Sequence, residues 1–238
     1  METLITYPEL IKKLQQIKEK SYIKTHRTGT TGVGKTLEDL LGISENNIPG
    51  PNASMIELKS ARKNVSSMLT LFTKSPLPRR ANSSLVQKFG YASAVRKEGK
   101  RLETTVTATG FNTLKGKKGF TIKIEKDRVN LVAFPDKMVG YWDKETIKNS
   151  FETKLPNLLY VKAEAKGKGI NEEFWFNEAW LLSGFNFDNF LKLLRDGIIR
   201  VDIRIGQYPD GRAHDHGTGF RVFPDKLDLC FLKRERIM

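Results

Sequence analysis

One cysteine, three histidines and no long apolar run are the scarcities of this 238-residue chain, and each closes off a class of protein. The lone Cys230 excludes a disulfide framework and points to a reducing compartment. No apolar stretch reaches membrane-spanning length, and the opening METLITYPEL has neither the basic start nor the apolar centre of a secretion signal. A soluble intracellular protein is expected. Histidine is too scarce for an easy zinc set: His26 stands far from His214 and His216, with one distant cysteine to complete a tetrahedron.

Acidic residues are also short, 27 against 41 Lys and Arg, for a net charge of +14. Such a balance bears on partners rather than on fold, and nucleic acid is the leading candidate. The excess is concentrated: Lys74 to Lys123 holds twelve basic residues against Glu98 and Glu103 alone, so this segment carries +10 of the total. A solvated basic face would look the same by charge. Here the lysines and arginines, among them Lys74, Arg79, Arg80, Lys117 and Lys118, are interleaved with Ser, Thr, Asn and Gln and with Phe89, Tyr91 and Phe111, as on a surface that tracks phosphates.

Residues 28–36 read TGTTGVGKT, in which Gly29, Gly34, Lys35 and Thr36 satisfy the phosphate-loop pattern GxxxxGK[ST]. A working phosphate loop needs a buried strand to deliver the chain into the glycines. The preceding IKEKSYIKTHRT is charged and has no run of Val, Ile or Leu, so an NTPase is an unfavoured alternative.

Periodicity along the chain predicts mixed α/β structure in one two-lobed unit without internal repeats. Leu10, Ile11, Leu14 and Ile17 lie at helical spacing in 7–20, and Leu37, Leu40 and Leu41 in a short helix stopped by Gly42. Strands are expected at 55–61, 68–73, 104–111, 120–126, 128–134, 158–166, 173–182, 198–206 and 218–223. Helices are expected at 187–196 and, at the C-terminal end, 225–237.

Within 55–61, alternation throws Glu57 and Lys59 to one side while Ile56 and Leu58 anchor the other. A carboxylate beside an ammonium suits metal-assisted phosphodiester hydrolysis, the first as a Mg²⁺ ligand and the second to orient water and offset phosphate charge. The same ExK triplet also describes an ordinary solvent-facing ion pair. Glu38, on the helix after the glycine turn, is a candidate for a further carboxylate, and also reads as a plain helix-surface residue. In VDIRIG the alternation buries Val201, Ile203 and Ile205 and projects Asp202 and Arg204 together, and HDHGTGFR gathers His214, Asp215, His216 and Arg221 nearby. Arg donates two bonds to guanine O6 and N7, Asp accepts from cytosine N4, and His does either, so these residues suit G·C reading in a major groove.

Taken in order, GKTLEDLL, IELK, LTLFTKSP, VDIRIG and HDHGTGFR resemble the MvaI/BcnI family of restriction endonucleases, relatives of the mismatch-repair nickase MutH. The resemblance implies a PD-(D/E)xK nuclease fold, a mixed β-sheet flanked by helices, with two lobes forming a DNA-binding cleft. Residues 1–238 would form one restriction endonuclease unit, with a catalytic core around 28–75 and recognition elements around 74–123 and 200–222. It further implies a Mg²⁺-dependent type II enzyme of the prokaryotic cytoplasm. Such an enzyme acts as a monomer on double-stranded DNA, nicks each strand in turn at a CC/GG-flanked site, and has a cognate DNA methyltransferase. By position, Glu57 and Lys59 match the ExK residues and Glu38 the helix glutamate beside the metal. Lys74, Arg79, Arg80, Asp202, Arg204, His214, Asp215, His216 and Arg221 fall in DNA-contacting regions. LTLFTKSP and HDHGTGFR are closer to the MvaI-like branch, which implies a central A·T pair, as in CCWGG.

One position departs from the pattern. Where the family has a metal-binding Asp five residues before the ExK glutamate, this chain has Asn52, which keeps a carbonyl oxygen and loses the charge that holds a hard cation. An engineered inactive variant, a naturally weak nuclease and a DNA-binding module without catalysis all fit that change. The charge distribution itself yields an expected outcome: reversing Arg79, Arg80, Lys117 and Lys118 lowers DNA affinity and flattens log K against log [salt] by about one unit per lost phosphate contact. Unchanged affinity and slope in a salt titration would make this face merely solvated.

Overall fold

Helix α1 (Tyr7–Glu19) forms where the sequence sets Leu10, Leu14 and Ile17 on one face, and in the computed structural model all three are buried. Thr6 precedes it, and its backbone N–H and hydroxyl both donate to Glu9, at 2.9 and 2.7 Å, closing the first turn. The structure describes residues 6–43, 56–64, 66–92, 99–155, 157–208 and 210–238. Contacts divide the chain into two units, the first comprising 1–67, 152–186 and 231–238 and the second 68–151 and 187–230.

In the first unit, α1 is followed by the two-residue strand β1 (Ile23–Lys24), helix α2 (Gly32–Leu41) and strand β2 (Glu57–Arg62). Strands β11 (Asn157–Lys166) and β12 (Glu173–Ser183) complete its sheet from much later in the chain, and β16 (Lys233–Arg236) pairs with β12. The order is β1-β12-β11-β2, antiparallel except for β2 against β11, which run parallel. One face is apolar: Leu58 of β2, Leu159, Val161 and Ala163 of β11, and Phe174, Phe176 and Ala179 of β12. It packs against Leu10, Leu14 and Ile17 of α1 and Val33, Leu37 and Leu41 of α2. Gly42 ends α2 in the left-handed region, φ 74°, which a glycine occupies without the Cβ penalty.

The second unit holds two larger sheets. Strands β3 (Leu69–Thr73), β4 (Tyr91–Ala92), β5 (Lys100–Val106), β13 (Arg200–Gln207) and β15 (Gly219–Val222) lie in the order β3-β15-β13-β5-β4, with β14 (Ala213–Asp215) also on β13. Strands β8 (Phe120–Ile124), β9 (Arg128–Ala133) and β10 (Lys137–Asp143) form an antiparallel meander, preceded by the small hairpin β6 (Thr113–Leu114) and β7 (Lys117–Lys118). Helices α3 (Ala81–Phe89), α5 (Phe187–Arg195) and the single turn α6 (Leu227–Cys230) accompany them. Helix α4 (Lys144–Lys154) begins here and ends in the first unit. The core is aromatic: Phe190 lies 5.3 to 5.7 Å, centroid to centroid, from Phe72, Phe151, Phe187 and Phe220.

The expected C-terminal helix at 225–237 is corrected by the structure. Helix continues only to Cys230, and Lys233–Arg236 instead pair antiparallel with Trp180–Ser183 of β12. The backbone groups of β12 offer an edge that the tail completes, and that pairing outweighs the helical spacing of its leucines. Helices α3 and α4 and strand β10 were not anticipated, since α4 buries only Ile147 and Phe151 and α3 opens on Ala-Asn-Ser-Ser.

The first-unit core has a direct test. Phe176 is fully buried, so Phe176→Ala is expected to cost about 3–5 kcal/mol in denaturant unfolding, while the partly buried Leu40→Ala costs much less.

Candidate active site and base-reading face

Parallel pairing with β11 sets Glu57 opposite Leu158 and Lys59 opposite Tyr160, on the sheet face away from α1 and α2. Glu57 is only 1% exposed. Its Oε1 accepts a hydrogen bond from Lys59, and the ammonium of Lys154, from the last turn of α4, stands 3.8 Å from the same oxygen. Glu57 Oε2 is buried with no hydrogen-bond partner among the described residues. The ExK pair is therefore a buried carboxylate steadied on one oxygen by two cations, with its second oxygen uncommitted. Sequence reading missed Lys154, because nothing local in KNSFETK distinguishes it from the other lysines of that helix.

The same face continues through a second charged cluster. Glu178 lies opposite Lys162, whose ammonium donates to it at 2.9 Å, while Trp180 Nε1 donates to the same oxygen at 2.7 Å and Lys63 stands 3.6 Å from the other. Burial raises the Glu178 pKa, but these bonds and the charges of Lys162 and Lys63 outweigh it and hold the carboxyl at about 2. Tyr160 is pushed up to about 12 by its burial and by Glu178, so its hydroxyl stays protonated beside Lys59 at neutral pH.

The glycine turn is not built to cradle a phosphate. Among the described residues the only strand before it is the two-residue β1, and Lys35 folds back onto Asp39 at 2.9 Å, where His26 Nδ1 also meets Asp39 at 2.9 Å. Arg62 of β2 grips the turn by its carbonyls, donating to Gly29 at 3.0 Å and Thr30 at 3.3 Å, while its other bonds go to Glu172 at 2.6 and 2.7 Å. The turn thus fastens α2, and with it the half-buried Glu38, against β2. Asn52 lies outside the described residues.

In the second unit the alternation of β13 holds, with Val201, Ile203 and Ile205 fully buried and Asp202 and Arg204 on the opposite face. Asp202 is 9% exposed and both its oxygens are filled, by Thr105 Oγ1 at 2.9 Å and by Arg221 at 2.7 Å, while Arg221 Nε donates to Thr70 at 2.8 Å. Burial lowers the Arg221 pKa, Asp202 opposes that, and the charge of Arg204 close by lowers it further. Asp215 organises its loop. It accepts from Ser75 at 2.5 Å, Asn82 at 2.8 Å and the amides of Gly217 and Thr218 at 2.9 and 2.7 Å.

The two histidines of HDH meet edge to face, centroids 4.3 Å apart, and Tyr208 hydroxyl contacts His214 Nδ1 at 2.8 Å. A Cβ on Gly206 would come within 2.7 Å of His216 Nε2, so a side chain there would displace that ring. Among the described residues no three His, Cys, Asp or Glu side chains are grouped to hold a metal. Lys74 is half-buried, its backbone N–H bonded to Thr218, whereas Arg79 and Arg80 are exposed. Together with Lys88, Lys137 and Tyr141 the two arginines line a cavity of about 310 Å³. Glu57 and Lys59 thus belong to one unit, and Lys74, Arg79, Arg80, Asp202, Arg204, His214, Asp215, His216 and Arg221 to the other.

The profile of the MvaI/BcnI restriction endonuclease family matches residues 11–231. The chain belongs to that family. Its structure is similar to a restriction endonuclease MvaI–cognate DNA substrate complex, with a TM-score of 0.86 at 30% identity over 99% of this chain and 100% of the other. Restriction endonuclease MvaI in the absence of DNA matches with a TM-score of 0.57, also at 30% identity, over all of both chains. No curated protein matches significantly. The family is one of type II site-specific deoxyribonucleases, so this chain is a DNA-binding nuclease by descent, of mixed α/β architecture with several sheets. None of its described helices is long and apolar enough to cross a membrane.

Asp215 supplies a pH test. Burial raises its pKa, but the bonds from Ser75, Thr218, Asn82 and Gly217 more than offset this and leave it below the ordinary aspartate value of 3.8. A depressed folded pKa means stability that is fully present above pH 3.8 and is lost as pH falls through the folded value. Asp215→Asn is therefore expected to lower the melting temperature at pH 7, with the difference shrinking below about pH 4. A constant difference across that range, measured by thermal melts, would show that the carboxylate charge is not what holds the loop.

Proposed function

We propose that the chain is a Mg²⁺-dependent type II restriction endonuclease of the PD-(D/E)xK fold. In this reading it acts as a monomer and nicks the two strands of duplex DNA in turn at a short CC/GG-flanked site such as CCWGG. The observation that carries this reading is Glu57, whose buried Oε2 has no partner among the described residues and would serve as a hard oxygen ligand for Mg²⁺. Glu38 and Asn52 would contribute further oxygens. When bound, the ion supplies Lewis acidity at the scissile phosphate and acidifies water.

The chain's own residues do the rest. Lys59 holds Glu57 Oε1 and offsets the cost of burying that carboxylate, leaving Oε2 for the ion. Lys154 adds a second positive charge at the same oxygen, and both ammonium groups offset the phosphate charge that DNA brings. In the second unit Arg204, Arg221, His214 and His216 read base edges, with Asp202 and Asp215 holding them. Lys74, Arg79 and Arg80 contact the backbone. The catalytic elements around 28–75 and the recognition elements around 74–123 and 200–222 work as one enzyme, which in a prokaryotic cytoplasm needs a cognate DNA methyltransferase to protect the host.

Asn52 favours a second reading, a sequence-specific DNA-binding module without catalysis, because a neutral amide replaces a charged ligand. Plasmid nicking with Mg²⁺ separates the two. The parent chain is expected to nick slowly and its Asn52→Asp form faster by about 10-fold or more. Adding Glu57→Ala to the Asn52→Asp form is expected to remove at least about 100-fold of that activity. Inertness of parent and Asn52→Asp alike, despite tight binding, would leave the binding module.

A further inference from the structure

The recognition sheet carries a carboxylate that neither the motifs nor the proposed mechanism uses. Glu103 of β5 stands directly opposite Arg204 of β13 in the antiparallel register, on the polar face shared by Asp202, Thr105 and Arg101. Across such a pair the Cβ atoms are about 4.5–5.5 Å apart. The buried side of β5 is formed by Leu102 and Val106, opposite Ile205 and Val201, so Glu103 cannot turn inward.

Its surroundings make an acid unexpected. Glu103 is one of two acidic residues in the +10 segment from Lys74 to Lys123. Its side chain is 47% exposed, and its ion pair is with Arg101 at 3.5 Å, a surface contact that contributes little. Asp202, the carboxylate beside it on this side of the sheet, is spent, its oxygens filled by Thr105 and Arg221. An exposed carboxylate facing a polyanion is repelled by phosphates, unless it accepts from the one kind of group a major groove offers it, an exocyclic amine.

We propose that Glu103 is a specificity-determining residue that accepts a hydrogen bond from a cytosine N4 amine while Arg204, its cross-strand neighbour, donates to the guanine O6 and N7 of the same base pair. A carboxylate and a guanidinium held side by side match the donor and acceptor edges of one C·G pair. Arg101, opposite Gly206 in the next row and 5.6 Å over Tyr91, flanks the glutamate on its other side. This deepens the recognition reading proposed above and rests on it.

The test measures equilibrium binding of the full chain, with Ca²⁺ in place of Mg²⁺ and at one fixed salt concentration. It uses whichever of a CCWGG and a CCSGG duplex the parent prefers, a scrambled duplex, and site duplexes in which pyrimidin-2-one, which lacks the N4 amine, replaces each cytosine in turn. Glu103→Ala is expected to weaken binding to the site about 10- to 100-fold, to leave the scrambled duplex unchanged or slightly tighter, and to cost nothing further on the duplex whose critical N4 amine is gone. Glu103→Gln, which still accepts a bond, should retain part of the discrimination that Glu103→Ala loses. Equal tightening of every duplex by both variants would overturn the proposal and leave Glu103 a phosphate-repelling surface charge. A uniform loss on every duplex would overturn it as well. If the parent itself fails to separate site from scrambled DNA, the recognition reading falls, and this inference with it.

Discussion

A carboxylate that is 1% exposed is tolerated as a charge only if something nearby replaces the water it has lost, and the first unit is arranged around that requirement at Glu57. Lys59 comes from the same strand two residues on, which costs the fold nothing beyond the pleat. Lys154 arrives from the end of a helix almost a hundred residues later, and the strand that pairs with β2 follows it immediately. The connection from α4 into β11 thus fixes both the parallel partner of the ExK strand and the second cation beside its glutamate. Leaving Oε2 without a partner would be a plain loss in a structural ion pair. In the function proposed above, that oxygen is the one left for the ion.

Both units build their functional faces by the same device. A strand with one apolar side is pressed onto a core, and the alternate residues are thereby aimed the other way without any dedicated scaffold. In the first unit, Leu58 against α1 and α2 aims Glu57 and Lys59; in the second, Val201, Ile203 and Ile205 aim Asp202 and Arg204. The faces differ in how the charges are spent. Asp202 and Asp215 have their oxygens filled by neighbours and act as internal struts, the first for Arg221 and the second for the loop that follows it.

Much of this was legible beforehand because it is local. The helical spacing of Leu10, Leu14 and Ile17 and the alternation of IELK and VDIRIG are properties of a few consecutive residues, and the structure bears each of them out. The five ordered motifs led to the family that the profile and the MvaI structures confirm. The tail was misread for a physical reason: DKLDLCFLKRERI has helical spacing, but an available edge on β12 offers four residues a ladder that an isolated helix end cannot match.

What the sequence determined alone was the pairing of residue types within strands: which side of β2 and β13 is apolar, which carries charge, and that a basic chain of this family meets DNA. The strand faces follow from a period of two and the DNA partner from the charge balance together with the ordered motifs, and none of this needs knowledge of neighbours. Only the tertiary structure decided which charges are free to act. Asp202 and Glu103 are equally acidic as letters, yet one is enclosed by Thr105 and Arg221 and the other stands half-exposed opposite Arg204. Lys154 joins Glu57 for the same kind of reason. The partners come from strands and helices tens of residues away, and no local pattern records a distance that only folding creates.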